Sequence, residues 1–252
     1  MSNLFDIRDR VALVTGGRRG IGRAIALGLA EAGARVAVIA RSADAGELGR
    51  QLSKTGCNWY YLQADLADRK DRRGVVERVV DHYGQIDILV NNAGIQNRYP
   101  ARDYPPTAWD YDLELMLTAV MDLSQQAMPH MASAGKGRII QMASISSFQG
   151  ARSIAGYATA KHGLLGLTKC LSNEWAGLGI NVNAIAPGLI ETEMAGHVLE
   201  DPAKSAELRG RIPSGRFGRP GDLVGPVLFL SSDACSHVHG SVILVDGGWM
   251  GR

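Results

Sequence analysis

Cysteine is scarce in this chain: Cys57, Cys170 and Cys235 lie far apart, are odd in number and fall in no CxxC or Cys/His cluster. That argues against a disulfide framework and fits reduced thiols in a cytosolic compartment better. An excess of charge is also missing. Lys and Arg total 27 against 25 Asp and Glu, and a net charge of +2 provides no basic field for nucleic acid or anionic lipid. No apolar run approaches membrane-spanning length, and the opening MSNLFDIRDR is charged where a secretory leader needs an apolar core. The expectation is a soluble cytoplasmic protein acting on a small-molecule substrate, with no nucleic acid and no membrane as partner. The six histidines show no metal-ligand spacing, HVH at 237–239 included, so no metal is expected.

What the chain does have is glycine at pattern breaks. VALVTG is an apolar run ending in glycine, IGRAIALGLAEAG has helical spacing and closes on Gly33, and ARVAVIAR reads as a second strand. This is a βαβ unit. Further strands are expected at 58–64, 86–92, 137–144, 180–187 and 241–248, with helices between most of them and one over 154–178. Strands apolar on both faces and separated by helices predict an α/β fold, a doubly wound parallel sheet with helices on both faces. No repeat or composition break divides residues 1–252, so one dinucleotide-binding and catalytic domain is expected. The strand-free segment 189–220 is a candidate substrate lid.

Between the first strand and first helix stands TGGRRGIG, which sets Gly16, Gly20 and Gly22 in a GxxxGxG spacing around Ile21. A pyrophosphate must approach the backbone there more closely than a Cβ allows, and the helix start attracts its charge. NAD-selective sites carry an acid at the end of the second strand. Here that place reads IAR, ending in Arg41, while Arg19 precedes Gly20. Two guanidiniums suited to a 2′-phosphate favour NADP(H), with NAD(H) as the alternative.

In GYATAKHG, residues 156–163, Tyr157 and Lys161 are one helical turn apart. An ammonium about 4 Å from the phenol, at an effective dielectric near 20, favours phenolate by roughly 4 kcal/mol, or about three pKa units. The phenol is therefore expected to titrate near neutrality, where an acid/base catalyst works best. Ser144, at the end of GRIIQMAS, is suitably typed to hydrogen-bond a carbonyl under reduction.

Together TGGRRGIG (15–22), Asp65-Leu66, NNAG (91–94), Ser144, YATAK (157–161) and PGLIET (187–192) resemble the short-chain dehydrogenase/reductase family over nearly the whole chain. The resemblance implies a Rossmann-type fold and an NAD(P)-dependent oxidoreductase acting on CH–OH groups. Tyr157 would be the general acid/base, Ser144 would orient the substrate oxygen, and Lys161 would hold the nicotinamide ribose and lower the tyrosine pKa. Asp65 and Leu66 would lie by the adenine and Asn92, Ala93 and Gly94 along the cofactor. Pro187, Gly188, Ile190 and Thr192 would border the nicotinamide carboxamide. The resemblance also implies a homotetramer with SVILVDGG near an interface.

One position departs from the family. The asparagine usual in the helix after NNAG, whose backbone anchors a water linked to the lysine, is Met116 here, which predicts a working but slow enzyme. Within the family the likeness is strongest to the gluconate 5-dehydrogenase and 2-dehydro-3-deoxy-D-gluconate 5-dehydrogenase group. The stretches that carry it are NNAGIQNRYPARDY, ASISSFQG and RIPSGRFGRPGDLVGPVLFLSS. It implies a sugar-acid substrate, for which Arg98, Gln149 and Arg152 follow strand ends on the expected side. The alternatives are reduction of another small carbonyl or 3-oxoacyl substrate, and a catalytically silent dinucleotide-binding sensor.

Overall fold

Seven strands form one parallel sheet in the order β3-β2-β1-β4-β5-β6-β7. They are β1 (Val11–Thr15), β2 (Arg35–Ala40), β3 (Trp59–Gln63), β4 (Ile88–Asn91), β5 (Gly137–Met142), β6 (Ile180–Pro187) and β7 (Val242–Val245). The structure is a computed structural model that describes residues 4–251. Each expected strand is present. The last is shorter than expected because Gly247 and Gly248 turn the chain at φ 65° and 92°, with the Asp246 carboxylate accepting the Gly248 and Met250 N–H groups at 2.9 Å each.

Helices cover both faces because the strands are apolar on both. Against one face, α1 (Gly20–Glu31), α2 (Gly46–Thr55) and α9 (Val224–Ser231) bury Ile25, Leu29, Leu48, Leu52, Val227 and Leu230. Against the other, α3 (Val75–Tyr83), α5 (Ala119–Ser133) and α6 (Ala155–Trp175) bury Val76, Val79, Leu123, Ala127, Ala160 and Leu171. A helix of eight residues, α4 (Pro106–Leu113), runs into α5 through a single π turn, Glu114–Thr118. The helix expected over 154–178 is α6 followed by a 3-10 turn, Ala176–Leu178.

Strand order reverses between β1 and β4, which pair at Val14 and Val90, while β1 pairs β2 on its other side at Val14 and Val38. Chains leaving the carboxyl ends of β1 and β4 diverge to opposite faces, and a crevice opens between them. Over this crevice lies the segment after β6, with the short α7 (Gly196–Leu199) and α8 (Pro202–Gly210). Its two ends are joined by one strand-like rung: Gly218 N donates to Leu189 O at 2.9 Å and Glu191 N to Gly218 O at 2.8 Å.

Candidate active site

The crevice floor is built from Thr15. Its Oγ1 accepts the N–H groups of Asn92 and Ala93, both at 2.9 Å, and its carbonyl accepts Asn92 Nδ2 at 2.9 Å, locking the end of β1 to the turn after β4. Gly16 then turns at φ 64°, and a Cβ on Gly22 would stand 2.4 Å from the Gly16 carbonyl oxygen. Only glycine lets α1 start this close to β1. The first turn of α1 carries no acid and its N-cap, Arg19, makes no side-chain cap bond, so the helix-start N–H groups are left for an anion.

A cavity of about 1090 Å³ opens above this floor. Every cofactor-site residue expected from the sequence borders it, from Gly16 at the glycine turn, through Asp65 and Leu66, to Thr192. Arg18 and Ser42, which the sequence reading passed over, border it too. Arg19 ion-pairs with Glu193, Arg41 Nη1 donates to the Tyr111 hydroxyl at 3.1 Å, and Arg18 Nε donates to the Asp44 carbonyl at 3.1 Å. All three guanidiniums border the cavity, Arg18 also pairing with Asp44 at 3.5 Å, and β2 is followed by Arg41 where an acid would otherwise stand. The glycine cradle and this cationic rim fit a dinucleotide bearing an extra phosphate. Asp65 Oδ1 accepts the Ala67 N–H at 3.0 Å and so shapes the turn after β3, next to the end of β2.

At the other end stand Ser144, Tyr157 and Lys161. Ser144 ends the β5 run and caps a 3-10 turn, its Oγ accepting the Ser146 N–H at 3.0 Å while its own N–H donates to Ser147 Oγ at 3.2 Å. Acceptance at Oγ leaves the Ser144 hydroxyl proton to be donated. Tyr157 and Lys161 share the buried face of α6, at 9% and 5% exposure. Lys161 Nζ donates to the Met142 carbonyl at 2.6 Å and lies 5.7 Å from the Tyr157 ring centroid. Their protonation differs from expectation. Burial pushes the Tyr157 phenol above its ordinary value, only partly offset by its hydrogen bond with Ser144. Burial also pulls Lys161 down to about 8. Desolvation outweighs the attraction that the helical spacing suggested, and the phenol holds its proton. A hydroxyl donor and a protonated phenol facing one cavity can together protonate a carbonyl oxygen.

Met116 is wholly buried in the middle of the π turn. A Cβ on Gly94 would lie 3.4 Å from its Sδ. Ala119 N donates to Glu114 O, an i to i+5 bond that forms without an asparagine at this position. The π turn therefore forms with methionine at this position; the expected slow turnover is a separate matter, for Met116→Asn to test. Glu114, at its start, is held by Arg69 at 3.0 Å and by the buried Arg72 at 2.7 Å.

Of the three expected substrate residues, Arg98 borders the cavity, with Nη2 donating to Gln96 Oε1 at 2.6 Å. Gln149 and Arg152 do not border it; Arg152 is exposed. No cluster of three or more His, Cys, Asp or Glu able to hold a metal occurs among the described residues, and no described helix is long and apolar enough to cross a membrane. Sequence reading also missed Asp112, fully buried beside Gly156. The sequence offers no signal for it: α4 is not amphipathic, and Asp112 is its one buried residue.

Comparison with known proteins places this geometry among characterised relatives. Residues 10–203 match the family model described as short chain dehydrogenase. The chain is 44% identical to the 2-dehydro-3-deoxy-D-gluconate 5-dehydrogenase of Pseudoalteromonas atlantica, covering 100% of both chains. It is 36% identical to the 5-keto-D-gluconate 5-reductase of Escherichia coli, covering 99% of both. A crystal structure of gluconate 5-dehydrogenase from Burkholderia cenocepacia, in complex with NADP and tartrate, superposes with a TM-score of 0.95 at 37% identity, covering 99% of this chain and 98% of that one.

Proposed function

The chain belongs to the short-chain dehydrogenase family, and from that premise we propose that it transfers a hydride between NADP(H) and a hydroxyl or ketone of a sugar acid. One observation carries the reading: the glycine turn with its arginine rim and the Ser144, Tyr157 and Lys161 group border the same cavity. The relatives named above act, by their names, on 2-dehydro-3-deoxy-D-gluconate and 5-keto-D-gluconate, and one holds NADP.

When bound, the nicotinamide supplies or takes up the hydride. The Ser144 hydroxyl, which bonds Tyr157 in this structure, hydrogen-bonds the substrate oxygen and fixes its position. Tyr157 gives its phenolic proton to that oxygen on reduction and recovers it on oxidation. Lys161, anchored on the Met142 carbonyl, fixes the cation beside the phenol. Arg19 and Arg41, joined by Arg18, take the 2′-phosphate, and Arg98 meets the substrate carboxylate. NAD(H) remains usable through the shared glycine turn. Segment 189–220 acts as a lid: Glu193, Met194, Ala195 and Val198 already border the cavity. Free Cys57, Cys170 and Cys235 support a cytoplasmic enzyme. The β7 edge, where Leu244 is exposed, supports assembly into a homotetramer.

The test follows reduced-cofactor absorbance with 5-keto-D-gluconate and NADPH, and with 2-dehydro-3-deoxy-D-gluconate and NADP+, repeating both with the NAD forms. Turnover with a higher kcat/KM for the NADP forms supports the reading. Cofactor binding with no turnover on either sugar acid removes the substrate assignment.

A further inference from the structure

The helix that carries Tyr157 begins without a side-chain cap from its own N-cap residue, Ile154. Its first N–H groups have no intrahelical acceptor and need one from elsewhere. The structure offers one from the segment just before α4. The Gly156 N–H faces the Tyr104 hydroxyl oxygen closely enough to favour its phenolate form. The Tyr104 hydroxyl donates in turn to Asp112 Oδ2, and the other carboxylate oxygen, Oδ1, accepts Asn97 Nδ2 at 2.9 Å. The fit is close: a Cβ on Gly156 would stand 2.4 Å from Asp112 Oδ2 and 2.8 Å from the Tyr104 oxygen.

We infer that Asp112 is a positioning residue whose carboxylate sets two walls of the site in register, the first turn of α6 through Tyr104 and the Asn97-Arg98 loop through Asn97. The chemistry makes each link directional. Burial and the Asp112 hydrogen bond raise the Tyr104 phenol to about 12, so it keeps its proton for Asp112 and turns its lone pairs to Gly156. Asp112 is fully buried, and with both oxygens bonded it cannot release one arm without leaving an unpaired acceptor. A second tie, Tyr99 N to Ser153 O at 3.0 Å, joins the same loop to the segment leading into α6. The two arms reach different functions. One ends at the residue before Tyr157, the other at the residue before Arg98.

This inference rests on the proposed roles of Tyr157 and Arg98, and two measurements separate them. Amide hydrogen exchange needs no substrate: Tyr104→Phe is expected to raise exchange about tenfold at residues 156–158 while the rest of α6 keeps its protection. In steady-state assays with 5-keto-D-gluconate and NADPH, Tyr104→Phe is expected to lower kcat about tenfold with KM kept, and Asn97→Ala to raise KM about tenfold with kcat kept. Asp112→Val should do both. Asp112→Asn, which retains an acceptor for Tyr104 while Asn97 turns its amide, should recover most of the loss. Unchanged exchange in Tyr104→Phe overturns the inference, as does Asp112→Val that lowers Tm but leaves kcat and KM at wild-type values. A wild-type protein that does not reduce 5-keto-D-gluconate counts against the proposed function instead, and exchange then decides the network alone.

Discussion

Lys161 Nζ lies 2.6 Å from the Met142 carbonyl oxygen, so the ammonium beneath the phenol is tied to the last residue of β5 and not to a carboxylate. A cation buried on a neutral acceptor is less costly when it loses its proton, and its pKa falls to about 8 from 10.5.

Stability should follow that shift. Below pH 8 both folded and unfolded chains carry the Lys161 proton, and the full cost of burying the charge is present. Between about 8 and 10.5 the unfolded chain binds a proton that the folded chain lacks, so this group's penalty is relieved as pH rises. Lys161→Met removes the term. Its stability gain over wild type in urea should therefore be largest below pH 8 and shrink by on the order of 1–2 kcal/mol by pH 9.5. A gap that widens with pH would contradict the assignment.

The phenol's raised pKa favours its acid form throughout the neutral range. For reduction, kcat/KM should be level from about pH 6 to 7.5 and decline through about 8, where Lys161 discharges. The oxidation rate should instead climb with pH. Tyr157→Phe should lower kcat by roughly 10²–10⁴ in both directions while leaving the cofactor Kd, read by fluorescence titration, within about twofold.

Arg19 has two suitors, Glu193 in the proposed lid and the proposed 2′-phosphate. Both side chains are exposed, so the pair is weak. Glu193→Gln should tighten NADPH binding by up to about fivefold and leave NADH unchanged, whereas Arg19→Ala should weaken NADPH at least about tenfold and spare NADH. Equal effects on the two cofactors would remove the arginine's phosphate role.

Met116→Asn tests the π turn. Because the i to i+5 bond is already made with methionine, kcat should move less than about twofold. The amide would enter an apolar cluster, at a cost on the order of 1–3 kcal/mol in thermal or urea unfolding. A severalfold gain in kcat would instead bear out the expectation that methionine here slows proton transfer.

The strands were legible because each is a short run apolar on both faces, bounded by glycine or a polar break, and the glycine turn because backbone approach demands a residue type. Tyr157 and Lys161 were legible as a pair one turn apart, but their protonation was not. Spacing reports separation, whereas the burial that dominates both groups comes from β5 and the crevice walls, distant in sequence. Asp112 was unreadable for the same reason: its partners, Asn97, Tyr104 and Gly156, converge only once α4 packs on α6. Gln149 and Arg152 followed a strand end as a substrate residue should, yet the chain turns there and leaves them outside the cavity.

The rung between Leu189, Glu191 and Gly218 gives the stretch it encloses the character of an exchangeable part. Because its entry and exit are already held together, a foreign stretch of different length adds little closure entropy, which grows only slowly with loop size. With the lid role proposed for this stretch, substrate preference could then be transplanted from a relative while the sheet beneath keeps its register.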